Sequence, residues 1–246
     1  MDRVKALLKK ELKKTGFDIK RIKGIHSLEY RFMHLFDAFE INKVFDVGAS
    51  KGQYGSWLRR AGFKGQIISY EPVKQAHELL VKRSRKDKNW IVPLPTALGD
   101  EKGKKEINVS QNLASSSLLD IFDIHLKAAQ RARYVSAETV DIRRLDSIAA
   151  EYMEPDDRLF LKIDVQGYEY RVLKGAEGIL PEMLGIQVEL SSVALYKGQV
   201  LFNSVMNYIL NAGFELYELI PGLRDKKSGR LYQFDGLFFR KSKIQS

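Results

Sequence analysis

The chain has 246 residues, 44% hydrophobic and 29% charged, with no cysteine and a formal net charge of +10. That length suffices for one well-buried α/β core with an extension, and the missing cysteine excludes disulfides, thiolate catalysis and zinc–thiolate sites. No apolar run reaches membrane-spanning length and Met1–Lys5 carries no leader pattern, so a reducing, cytoplasmic setting is expected.

The basic residues come mostly as scattered pairs such as Lys9-Lys10, Arg59-Arg60 and Lys226-Lys227. Scattered pairs read as solvated faces rather than as a nucleic-acid surface.

In chain order, Val4, Leu7, Leu8 and Leu12 recur at helical spacing among lysines. They predict a basic amphipathic helix, either a cap on the domain or a membrane-surface element. A second, aromatic-rich helix is expected over 28–39, so residues 1–40 form a helical extension and 41–246 the main domain.

From residue 43 the pattern alternates. Strands are expected at 43–48 and 66–71, with helices at 53–61 and 73–86. Residues 90–98 read as a strand broken by Pro93 and Pro95, hence not fully central. An antiparallel excursion follows at 105–109. Residues 110–138 form a long polar insertion, of the kind that serves as a lid or substrate loop, and carry His125.

A short strand at 139–142, a helix at 144–152, a strand ending on Asp164, a helix at 168–179 and a strand at 184–190 come next. A helix at 200–212 precedes strands 214–220 and 231–239. The turn-like Pro221–Asp225 leaves no helix between these two, so they pair as an antiparallel edge ribbon. The fold class is therefore α/β: five parallel strands with crossover helices, then an antiparallel pair.

The stretch Val44-Phe45-Asp46-Val47-Gly48-Ala49-Ser50-Lys51-Gly52 is a strand breaking into a glycine corner that feeds a helix. Glycine allows close backbone approach, and free N–H groups at the helix start favour electron-rich ligand groups. Glu71 ends the next strand, 25 residues after Asp46. An acidic residue so placed accepts hydrogen bonds from ribose hydroxyls.

The middle glycine of a dinucleotide fingerprint is absent, and Asp46 would repel phosphates. A ligand with a cationic amino-acid end and a ribose fits better: S-adenosylmethionine. On this reading Gly48, Ala49 and Gly52 face the methionine end, with Asp46 hydrogen-bonded near it. Glu71 takes the ribose, and Ala97 and Leu98 flank the adenine from the third strand. Asp164 is the candidate general base, Lys162 on the same strand face pairs with it, and Glu189 assists or orients the acceptor. His125 is an outside candidate if the insertion folds inward. Asp164 and Glu189 are also the pair for a divalent ion, without a clear third ligand.

Several blocks together resemble the FkbM-type S-adenosylmethionine-dependent methyltransferases. They are Phe45-Asp46-Val47-Gly48-Ala49, Glu71-Pro72, Ala97-Leu98-Gly99-Asp100, Leu145-Asp146 and Lys162-Ile163-Asp164-Val165-Gln166-Gly167-Tyr168-Glu169, with the last the most specific. The resemblance covers about 43–240. It implies a Rossmann-like class I domain that methylates hydroxyls, often of sugars, glycans or natural-product intermediates. The competing readings are an RNA methyltransferase, suggested by charge, and a non-catalytic nucleoside-binding partner module.

Overall fold

The computed structural model describes residues 14–15 and 24–241, so the basic helix expected around Val4–Leu12 lies outside the described residues. Two compact units divide at Ala38/Phe39, two residues before the boundary expected from sequence. The first contains helix α1, Leu28–Ala38. The second unit begins at Phe39.

Its strands are β1 (Lys43–Val47), β2 (Gln66–Tyr70), β3 (Trp90–Ile91), β4 (Ala97–Leu98), β5 (Gly103–Ser110), β6 (Tyr134–Arg143), β7 (Leu159–Ile163), β8 (Met183–Ser191), β9 (Phe214–Pro221) and β10 (Gln233–Arg240). The helices are α2 (Gln53–Ala61), α3 (Lys74–Ser84), α4 (Asp123–Ala128), α5 (Glu169–Gly175) and α6 (Phe202–Asn211). None of the described helices is long and apolar enough to cross a membrane.

Seven strands form the main sheet in the order β3-β2-β1-β7-β8-β10-β9. β1, β2, β3, β7 and β8 are parallel, while β10 runs antiparallel between β8 and β9. This is the α/β sheet expected, with the final ribbon closed by inserting its second strand inward. Helices leave β1 and β2 toward one edge, then the chain returns to add β7 on the other side of β1. That reversal opens a crevice at the carboxyl ends of β1 and β7, where ligands bind in open α/β sheets. β1 and β7 are buried along their whole length, which fits their apolar runs, interrupted by Lys43 and Asp46 in β1 and by Lys162 in β7.

Three expectations need correction. Ala97 and Leu98 do not end the third strand of the main sheet: they form β4, in a second sheet of order β4-β6-β5. Pro93 and Pro95 cannot donate to a ladder, and they divide the run after Ile91. The strand expected at 139–142 extends to Tyr134–Arg143 and pairs antiparallel with β5. The helix expected at 144–152 is two 3₁₀ turns, Leu145–Ser147 and Ala149–Tyr152. There Ser147 Oγ donates to the Arg144 carbonyl at 2.8 Å, and Arg144 forks onto Asp146 at 2.6 and 3.0 Å. Such local bonds compete with a regular helix.

The corner after β1 is fixed by backbone bonds. The Gly48 and Ala49 N–H groups both donate to the Tyr70 carbonyl, at 3.1 and 3.0 Å. Gly48 has φ +77°, and a Cβ there would lie 1.9 Å from the Asp164 carbonyl oxygen. The two crevice strands thus meet at a position only glycine can fill. Gly48→Ala should cost roughly 2 kcal/mol or more of unfolding free energy, read as a lower urea midpoint. An unchanged midpoint would contradict this account of the corner.

Candidate functional site

The crevice is a slot of about 530 Å³ including its open mouth. Gly48, Glu71, Ala97, Leu98 and Asp164 line it, as expected from sequence. β4 reaches this position from the second sheet, whose apolar cluster of Ala97, Ile107, Val109 and Val140 backs the wall.

Asp46 is elsewhere than expected. It is fully buried beneath the slot and does not line it. In register it stands between Ser69 on β2 and Lys162 on β7. Ser69 Oγ donates to Asp46 Oδ2 at 2.9 Å, and Trp90 Nε1 donates to Ser69 Oγ at 2.9 Å. Lys162 Nζ lies 3.7 Å from Asp46 Oδ1 and 3.3 Å from Asp164 Oδ2. Burial raises the Asp46 pKa, and the Lys162 ammonium opposes it.

Ala49 and Gly52 also fail to line the slot. Gly52 caps the start of α2 with φ +78°, where a Cβ would press on Leu80 and Trp90. The N–H groups expected to be free at this corner are engaged. Ser50 N–H donates to Glu71 Oε2 at 2.8 Å, Lys51 N–H to Gln53 Oε1 and Gly52 N–H to the Ala49 carbonyl.

Glu71 points into the corner, as expected. Its second oxygen accepts the Val73 N–H at 2.9 Å. Burial pushes its pKa up to about 7, against the pull of those two N–H bonds. Ser50 Oγ, in the slot wall, is buried without a hydrogen-bond partner. A slot with a carboxylate, an unpaired hydroxyl and apolar walls fits a ligand with both hydroxyl groups and a flat ring, as a nucleoside has.

Asp164 is the accessible carboxylate, its side chain 36% exposed. Its Oδ1 accepts Gln166 Nε2 at 2.8 Å. Glu189 does not line the slot, and its Oε2 accepts Gln166 Nε2 at 3.0 Å and Gln233 Nε2 at 2.6 Å. Burial, then the Asp164 charge, raises the Glu189 pKa. An amide donor therefore stands between the two carboxylates considered for a divalent ion, and they do not fit that role together. Among the described residues no cluster of three or more His, Asp or Glu is placed to hold a metal.

His125, on α4, is buried edge-on against Tyr196 with ring centroids 5.1 Å apart, and it does not line the slot. Burial pushes its pKa down to about 4. The insertion carrying it contributes a slot wall instead, through Leu113, Ala114, Ser116 and Leu118. It is tied down where Ser117 Oγ donates to the Gln166 carbonyl at 2.6 Å.

Sequence reasoning missed Gln166, Ser50 and Leu113. Gln166 lies within the Lys162–Glu169 block, but its partners come from three distant segments. Glu169 in that block is structural: it accepts the Val165 and Gly167 N–H groups at 3.2 and 2.9 Å.

A family model described as the Methyltransferase FkbM domain matches residues 46–216. The 2-O-methyltransferase NoeI of Sinorhizobium fredii is 24% identical over 188 residues, covering 72% of this chain and 74% of NoeI. Methyltransferase sdnD of Sordaria araneosa is 24% identical over 155 residues, covering 54% of this chain and 60% of sdnD. Among solved structures, TehB from Haemophilus influenzae superposes with a TM-score of 0.46 at 12% identity, over 86% of this chain and 62% of TehB.

The Glu71 pKa of about 7 has a consequence for stability. The folded chain holds this proton more tightly than the unfolded chain does. Its contribution is therefore complete below the unfolded value near 4.5 and declines as pH rises to about 7. Glu71→Gln should remove a decline on the order of 3 kcal/mol between those limits. Denaturation from pH 4.5 to 8 checks this by slope, and an identical slope in variant and parent would contradict it.

Proposed function

The chain belongs to the FkbM methyltransferase family, and from that premise we propose that it methylates a hydroxyl oxygen of a sugar, glycan or natural-product intermediate. The observation that carries this is the partly exposed Asp164 carboxylate lining the same slot as Glu71 and the Gly48 corner. NoeI is a 2-O-methyltransferase, which supports an oxygen acceptor. The sugar or natural-product class rests on the family resemblance.

S-adenosylmethionine is the expected cofactor of this methyltransferase fold and, when bound, supplies a sulfonium methyl for direct displacement by the acceptor oxygen. The chain's own residues bind, orient and move a proton. Glu71 accepts from the ribose hydroxyls with the lone pairs its two backbone bonds leave free. Ala97, Leu98 and Val165, apolar residues of the slot lining, would flank the adenine. Ser50 Oγ and the Gly48 turn face the amino-acid end.

Asp164 accepts the acceptor's proton as the oxygen attacks. Lys162, 3.3 Å away, sets a positive charge beside that carboxylate. Glu189 is linked to Asp164 through Gln166, whose amide nitrogen donates to both carboxylates. Positioning in line with the methyl supplies roughly 7–11 kcal/mol of rate enhancement, and the base a further ~10²–10⁴-fold.

Label from methyl-radiolabelled S-adenosylmethionine should enter one fraction of the source cell's glycans or lipids. Label confined to RNA would overturn the proposed acceptor class. With the labelled fraction as acceptor, Asp164→Asn should keep its cofactor affinity and lose about 10²-fold or more in turnover. Glu71→Ala should instead weaken cofactor binding about tenfold or more by calorimetry, through the loss of a hydrogen-bond acceptor. Full turnover in Asp164→Asn would remove it as the base.

A further inference from the structure

Gln166 carries four features that a loop glutamine does not need. Its backbone is left-handed, φ +57°, a conformation that disfavours side chains other than glycine and persists when surroundings enforce it. The enforcing contacts are the Ser117 hydroxyl on its carbonyl and Glu169 on the N–H groups of both neighbours, Val165 and Gly167. Its amide nitrogen donates to Asp164 Oδ1 at 2.8 Å and to Glu189 Oε2 at 3.0 Å. Its amide oxygen accepts the Tyr196 hydroxyl at 2.8 Å.

Tyr196 is fully buried and its hydroxyl is held in the neutral, donating form. A donor there fixes which way the amide faces, with its nitrogen toward the carboxylates. The arrangement reaches from the insertion through Gln166 to β7 and β8. The buried amide spends both of its N–H groups on two acids that would otherwise repel each other.

We propose that Gln166 is a positioning residue of the methyl transfer. Its amide, oriented by Tyr196, fixes the direction of the Asp164 carboxylate and spaces it from Glu189. This rests on the reading of Asp164 as base, since the clamp acts through that carboxylate. Hydrogen bonds to a carboxylate favour its ionised form, so loss of the clamp raises the Asp164 titration point. Other charged groups around Asp164 are Lys162 on the same strand, Asp46 on β1, Glu169 on α5, Glu189 on β8 and Asp235 on β10. All of them remain in the variants below.

The test is carboxyl ¹³C NMR titration of the full chain saturated with S-adenosylhomocysteine, which needs no acceptor. Gln166→Leu should raise the Asp164 titration point by about 1 unit or more, and Gln166→Glu further, because a third carboxylate joins the pair. Tyr196→Phe, which leaves Gln166 in place but frees its amide to turn, should move Asp164 in the same direction. It also serves if the Gln166 variants fail to fold. A merely structural role predicts lower thermal stability with the titration point unmoved, and that result in Tyr196→Phe would overturn the proposal. The NMR readout stays valid even if Asp164→Asn proves active, so the clamp and the general-base reading fail separately.

Discussion

The Lys162 ammonium is the interaction on which the site depends. It is buried between Asp46 and Asp164, at the strand ends where the sheet's direction reverses. A buried carboxylate such as Asp46 is costly without a partner, and removing one member of a buried pair costs more than the pair contributes. The ion pair is tied into a polar row across the sheet. Trp90, Ser69 and Asp46 connect on one side. On the other, Gln187 Nε2 donates to Asp235 at 2.9 Å, while Tyr54 on α2 donates to Gln187 Oε1 at 2.9 Å. Lys162 Nζ also sits over the Tyr54 ring, 5.3 Å from its centroid. A connected row of this kind holds strand register as well as charge.

Above the row, two turns are stapled in the same way. After β1, Glu71 takes the N–H groups of Ser50 and Val73; after β7, Glu169 takes those of Val165 and Gly167. Burial pushes both carboxyls up to about 7. These side chains replace water for backbone groups that the turns leave unpaired. They differ in access: Glu71 borders the slot, whereas Glu169 does not. Similar chemistry therefore serves ligand and backbone at one corner and backbone alone at the other.

Much of this was legible in the sequence because it is local. The strand, glycine turn and helix at 43–61 come from hydrophobic pattern and turn chemistry over a few residues, and the bounds of α2 match. Glu71 and Asp164 at strand ends follow from the same pattern. Residues whose position depends on distant partners were not legible. Asp46 looked like a ligand contact because its sequence neighbours are; in the fold, Ser69 and Lys162 take it from both sides. The sequence pattern puts Ala97 and Leu98 at the slot but not in the right sheet, since nothing local reports that β6 captures them. Gln166 belongs to a local motif, but its partners Ser117, Glu189 and Tyr196 are 49, 23 and 30 residues away.

The most direct test is a crystal structure of the chain with bound S-adenosylhomocysteine. The account predicts both ribose hydroxyls within hydrogen-bond reach of Glu71, adenine between Leu98 and Val165, and sulfur on the side of the slot where Asp164 opens. A nucleoside bound outside this slot, or a ribose with Glu71 turned away from it, would contradict the account.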